Sequence, residues 1–185
     1  AMRESLFNIG LPELGETTLG LVGLGAVGRK VARVTKLLGA SVIYYDVKRP
    51  SAAEEQALEV QSKPLHELLA CCGAVSLHAP LTPTTRGLMG AAELARMPGG
   101  AYLVNTARGE LIEPRALAEA LESGHIAGAA LDTLAPEPPP DNHPLLNLSP
   151  AARERLLLTP HIAGTTHGAF HRMLTGALNN LQTVA

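Results

Sequence analysis

Arg108, Glu137 and His161, together with the glycine turn Gly23-Leu24-Gly25-Ala26-Val27-Gly28 and the acid Asp46, are the residues of this sequence whose types and spacing could do chemistry. The turn joins an apolar run to a helical pattern, the layout that holds a dinucleotide pyrophosphate. Its first glycine permits a tight strand-to-helix turn, the second lets backbone approach phosphate, and the third lets helix and strand pack closely. The helix that follows turns unpaired N–H groups and the positive end of its dipole toward the anion. Asp46 lies about twenty residues beyond the turn, where an acid can accept hydrogen bonds from both adenosine ribose hydroxyls. A carboxylate there favours the free 2′-hydroxyl of NAD and repels the 2′-phosphate of NADP, although Lys48 and Arg49 partly offset the repulsion. NAD is the expected cofactor. A methyltransferase could use a similar turn and acid, but it would leave the later residues unexplained.

Arg108, Glu137 and His161 move the reading from binding to reaction. Arg108 follows one strand-like run, Glu137 lies among prolines, and His161 follows the last strand-like run. All three are therefore expected at the carboxyl edge, where open α/β sheets bind ligands. Singly, each has an ordinary structural use: an arginine caps a helix or joins a surface pair, a glutamate among prolines is solvated, and a histidine after proline is a buried hydrogen-bond partner. Their shared context favours chemistry.

Positioning these residues requires a parallel sheet with crossover helices. The patterning predicts strands over 19–24, 41–45, 59–61, 74–77, 101–105, 126–131 and 156–158. Predicted helices alternate with them over 27–38, 51–58, 64–70, 90–97 and 114–121, and a closing helix over 165–184 is weakened by Gly168 and Gly176. The run 19–24 is continuously apolar, as expected when helices cover both sheet faces. Val27, Val31, Val34 and Leu38 recur at helical spacing until Gly39 stops them. This alternation predicts a Rossmann-type doubly wound parallel sheet, a three-layer α/β/α fold with right-handed crossovers. Prolines exclude regular helix or central strand from 133–150, which reads as a crossing arm. Residues 1–17 read as an incoming linker, 18–164 as the Rossmann core and 165–185 as the closing helix.

The 185 residues fit a single domain. A net charge of −2 and few aromatic residues argue against nucleic-acid binding. No apolar run reaches the roughly 20 residues of a membrane span. Cys71 and Cys72 are adjacent, which suits neither a disulfide framework nor spaced zinc ligands. The expectation is a cytoplasmic protein without a metal site, with the cysteines packing at a helix end. His66, His125, His143, His167 and His171 are read as structural or exposed.

Five ordered motifs carry a family resemblance: the glycine turn, His78-Ala79-Pro80-Leu81-Thr82, Val104-Asn105-Thr106-Ala107-Arg108-Gly109, Leu131-Asp132 with Glu137-Pro138, and Thr159-Pro160-His161-Ile162-Ala163-Gly164. From about Thr18 to Gly164 the chain resembles the D-isomer-specific 2-hydroxyacid dehydrogenases, which include phosphoglycerate, glyoxylate/hydroxypyruvate and D-lactate dehydrogenases. The resemblance implies a 2-hydroxy or 2-keto acid substrate, with Arg108 holding its carboxylate and carbonyl oxygen, His161 as acid/base and Glu137 as the histidine's carboxylate partner. It places the cofactor against Gly23, Gly25, Ala26, Val27, Gly28 and Asp46, the His78-Ala79-Pro80 and Thr106-Ala107-Arg108 loops, and Asp132, His161 and Gly164. Asp132 would contact the nicotinamide side, while His78 and Thr106 would line the cleft. Family members carry a second, substrate-binding domain, which is expected to be absent from this chain. A homodimer is also expected, with the 133–150 arm a candidate contact. The resemblance extends to transcriptional corepressors, so a non-catalytic NAD-sensing module is the alternative reading.

Overall fold

The structure is a computed structural model that describes residues 13–184. Residues 1–12 of the expected linker lie outside the described residues. Seven parallel strands form one sheet in the order β3-β2-β1-β4-β5-β6-β7. They are β1 (Thr18–Val22), β2 (Ser41–Tyr45), β3 (Gln61–Ser62), β4 (Ala74–Leu77), β5 (Ala101–Asn105), β6 (Ile126–Leu131) and β7 (Leu156–Leu158). The helices are α1 (Ala26–Leu37), α2 (Ala52–Leu58), α3 (Leu65–Cys71), α4 (Ala91–Arg96), α5 (Pro114–Glu122), α6 (Pro150–Arg153) and α7 (His167–Val184). The chain winds outward from β1 to β3, returns to β4 on the other side of β1, and winds outward again. That reversal opens a crevice at the carboxyl ends of β1 and β4.

Alternation along each strand sorts side chains onto two faces. Val22, Ile43, Val75, Leu77, Leu103 and Leu131 face a core completed by Leu68 and Leu69 of α3, Leu94 of α4, and Leu117 and Leu121 of α5. Leu19, Leu21, Val42 and Tyr44 face the opposite way, toward Ala32 of α1 and Leu58 of α2. The three expected layers are therefore present, and the second helical layer packs on the β1–β2 end of the sheet. On the same face farther along, Tyr102, Val104, Gly128, Ala130 and Leu157 line an open groove of about 320 Å³.

Several local expectations are corrected. The first strand ends at Val22 because Gly23 takes φ 100°. The third begins at Gln61, not 59, because Glu59 closes α2 in a left-handed conformation and Val60 N–H still bonds back to Glu55 O at 3.1 Å. Leu14–Glu16 is a 3-10 turn rather than linker. The proline-rich arm contains a second such turn, Pro144–Leu146, and ends in α6, where Pro150 occupies the first turn and Ser149 Oγ accepts from Ala152 N–H. Helix α1 exposes Val27 and Val34, as its C-cap exposes Leu38, and buries Gly28 and Ala32, so small residues set its closest approach to the sheet. Cys71 ends α3 exposed, while Cys72 caps it fully buried.

Candidate functional site

The crevice between β1 and β4 is built by close backbone contact. Gly23 N–H donates to Tyr45 O at 2.8 Å and His78 N–H to Val22 O at 2.7 Å. A Cβ on Gly23 would stand 2.7 Å from the His78 carbonyl carbon, and one on Gly28 would stand 2.3 Å from Gly23 O. A Cβ on Gly25 would meet nothing within 4 Å. Gly25 is the N-cap of the 12-residue α1, so the open space lies before a helix N-terminus, as a pyrophosphate requires. The residues thus fit NAD. Asp46 stands at the end of β2, where Oδ2 accepts from Leu24 N–H at 2.7 Å and Oδ1 from Lys48 N–H at 2.9 Å. The acid expected to meet ribose also braces the turn that would meet phosphate.

His78 lines this crevice, with Nε2 3.0 Å from Ser76 Oγ. His143, fully enclosed in the arm, accepts from Leu145 N–H through Nδ1 at 3.3 Å. Burial pushes the pKa of both imidazoles down. The unfolded chain takes up protons near pH 6.5 that these folded groups decline, so stability falls as pH drops through that value. Thermal unfolding scans should show a lower midpoint at about pH 5.5 than at about pH 7.5. His143→Asn, which keeps an acceptor for Leu145, should flatten that dependence.

At the carboxyl ends of β5, β6 and β7 the three singled-out residues share one cleft of about 190 Å³. The Arg108 loop is pinned by buried Asn105: its Nδ2 donates to Arg108 O at 2.8 Å, and its Oδ1 accepts from Ala107 N–H at 2.9 Å. Gly109 packs on Leu134 and Ala135, where a Cβ would come within 2.3 Å of the Leu134 backbone, so the Arg108 loop and the arm carrying Glu137 are held together. His161 Nδ1 lies 2.9 Å from Glu137 Oε2, and both side chains are open to solvent.

His161 takes φ 53°, which is unusual for a residue other than glycine. Its N–H donates to Asp132 O at 2.8 Å and Thr159 O at 3.0 Å. Asp132 anchors the whole loop: Oδ1 accepts from the Thr159 hydroxyl and from Ile162 N–H at 2.9 Å, and Oδ2 from Ala163 N–H at 2.9 Å. Burial alone would raise its pKa, but the bonds from Thr159, Ala163 and Ile162, with His161 nearby, outweigh this and lower it. The carboxylate borders a cleft of about 700 Å³ with Thr106, His161 and Gly164, closed along one side by Phe170 and Met173 of α7. Asn105, Gly109 and Thr159 are supports of this edge, a role that their places in the motifs do not announce. Of the remaining histidines, His66 and His171 are exposed, His125 Nε2 lies 3.2 Å from Leu94 O, and His167 borders the larger cleft. Among the described residues, no cluster could hold a metal ion.

Topology and crevice define a Rossmann-type dinucleotide-binding domain. The chain belongs to the family described as D-isomer specific 2-hydroxyacid dehydrogenase, NAD binding domain, which residues 3–163 match. Glyoxylate reductase of Thermofilum pendens is 40% identical over 173 residues, covering 94% of this chain and 50% of that protein. D-lactate dehydrogenase of Treponema pallidum is 39% identical over 180 residues, covering 93% and 54%. The NAD-complexed D-isomer specific 2-hydroxyacid dehydrogenase from Lactobacillus delbrueckii ssp. bulgaricus superposes with a TM-score of 0.82 at 35% identity, covering 96% of this chain and 56% of that one. The chain spans about half the length of the curated relatives it matches. These names lend no support to the non-catalytic alternative.

Proposed function

We propose that this chain is the cofactor-binding half of an NAD-dependent dehydrogenase that interconverts D-2-hydroxy acids and 2-keto acids. The observation that carries the reading is the 2.9 Å His161–Glu137 pair opening onto the same cleft as Arg108. NAD, when bound, supplies hydride exchange at C2 of the acid. His161 takes the hydroxyl proton as C2 is oxidised and returns it in reduction. With Nδ1 engaged by Glu137, Nε2 is the atom that exchanges it. Glu137 fixes the ring and favours the imidazolium that forms. Arg108 offers a permanent positive charge and a forked set of donors to the substrate carboxylate, which orients C2 for hydride transfer. The cofactor contacts in this reading are Gly23, Gly25, Ala26, Val27, Gly28, Asp46, His78, Ala79, Pro80, Thr106, Ala107, Arg108, Asp132, His161 and Gly164.

The opposite wall of the active site is supplied by a substrate domain outside this chain, a reading supported by the roughly twofold greater length of the relatives. Assembly as a homodimer and a cytoplasmic setting belong to the same proposal. The buried, unpaired Cys72 thiol agrees with a reducing compartment. The whole protein, assayed with NAD and a panel of D- and L-2-hydroxy acids, should turn over D isomers only. Absence of turnover across the panel, accompanied by NAD-dependent association, would favour the sensor reading instead.

A further inference from the structure

We infer that Glu55 sets the preference of the crevice against a 2′-phosphorylated dinucleotide, by occupying the guanidinium fork of Arg49 that would otherwise pair with that phosphate. The inference rests on the cofactor binding at the glycine turn, with its adenosine end beside Asp46.

Arg49 stands three positions past Asp46, on the loop that leaves β2. Its Nε and Nη2 donate to Glu55 Oε1 and Oε2, each at 2.8 Å, a bidentate pair. The two partners are unequally fixed. The Glu55 side chain is 13% exposed and the Arg49 side chain 69%. Glu55 sits in the first turn of α2 and also accepts from the hydroxyl of Tyr44, a fully buried residue of β2. The carboxylate is thus a preset receptor, and the arginine is what it captures. The Arg49 hydrogen bonds, followed by that of Tyr44, hold the Glu55 carboxyl down at about 2, so it stays charged throughout the neutral range.

A guanidinium fork fits a carboxylate or a phosphate with the same geometry, and engagement with one excludes the other. A second pair follows the same pattern. Arg29, one residue past the last glycine of the turn, places Nη1 3.1 Å from Glu54 Oε1. Adjacent acids of α2 therefore engage two arginines, one from the loop after Asp46 and one from the first turn of α1. This answers the ambiguity left by a basic pair after Asp46: the sequence offers an arginine to a 2′-phosphate, and the fold withdraws it.

Calorimetric titration of the 185-residue chain with NAD and NADP tests the inference. Glu55→Gln keeps an acceptor for Tyr44 but removes the charge and the second acceptor that hold the arginine fork. It should tighten NADP binding about tenfold, about 1.4 kcal/mol, while leaving NAD binding unchanged. The gain should vanish in the double variant Arg49→Ala/Glu55→Gln and shrink as salt is raised. Arg49→Ala alone alters only an exposed side chain and should leave NADP affinity where it was, because the arginine is already engaged. An unchanged NADP-to-NAD ratio in folded Glu55→Gln, a gain that persists in the double variant, or a loss of NADP affinity in Arg49→Ala would each overturn the role of Glu55. Failure of the unaltered chain to bind NAD would instead overturn the cofactor crevice itself.

Discussion

Replacing His161 by Asn in the whole protein should lower kcat by about 10²- to 10⁴-fold, the usual contribution of a positioned acid/base group. Asparagine is the informative substitution because it tolerates the left-handed backbone that His161 adopts at φ 53°. The loop anchored on Asp132 should therefore keep its shape, and NAD affinity, measured separately by calorimetry, should fall far less than kcat. Glu137→Gln should cost less, since it leaves the imidazole in place but removes the charge beside Nδ1. Near-normal turnover by His161→Asn would remove the residue as the proton-transfer group. An equal loss of NAD binding would show that the substitution had damaged the loop rather than the chemistry.

The second large effect separates two glycines of the same turn. Gly28→Ala places a methyl group 2.3 Å from Gly23 O, a backbone atom that cannot move without dismantling the turn. The chain should lose about 1–3 kcal/mol of stability, the ordinary range for overpacking, together with its NAD affinity. Gly25→Ala meets no protein atom within 4 Å, so the unfolding midpoint should hold. Its methyl group would instead enter the space assigned to the pyrophosphate, and NAD should bind more weakly by on the order of tenfold or more, about 1.4 kcal/mol. Thermal melts and titrations on both variants distinguish the cases. Unchanged affinity in Gly25→Ala would place the pyrophosphate elsewhere.

The glycine turn and Asp46 were legible because their meaning lies in local spacing, and the sheet topology followed from the alternation of apolar runs with helical ones. The supports of the reaction edge were not legible in the same way. Asp132 grips Thr159, Ile162 and Ala163, residues 27 to 31 positions away, and no periodicity announces such a brace. Asn105 appears in the sequence as one polar residue at a strand end; only the folded loop reveals that it pins Ala107 and Arg108 together. Helix α1 misled for a physical reason. Its valines recur at the right interval, but the residues it fully buries are Gly28 and Ala32, and Val31 packs on the core only half-buried. Prolines keep α-helix and strand out of 133–149, yet Pro150 begins a helix because the first turn needs no N–H from it.

The outward winding of the sheet from β1 in two directions also sets an order in time. Chains emerge from the ribosome N-terminus first, and N-terminal parts begin folding during synthesis. Once β4 has left the ribosome, β1 and β2 have every strand they pair with, and the glycine turn and Asp46 are in place, while the cofactor contacts from His78 to Gly164 are still to come. Arg108, Glu137 and His161 follow one after another, each after a further strand or the arm. A nascent chain stalled before β7 would therefore carry the glycine turn and Asp46 without His161.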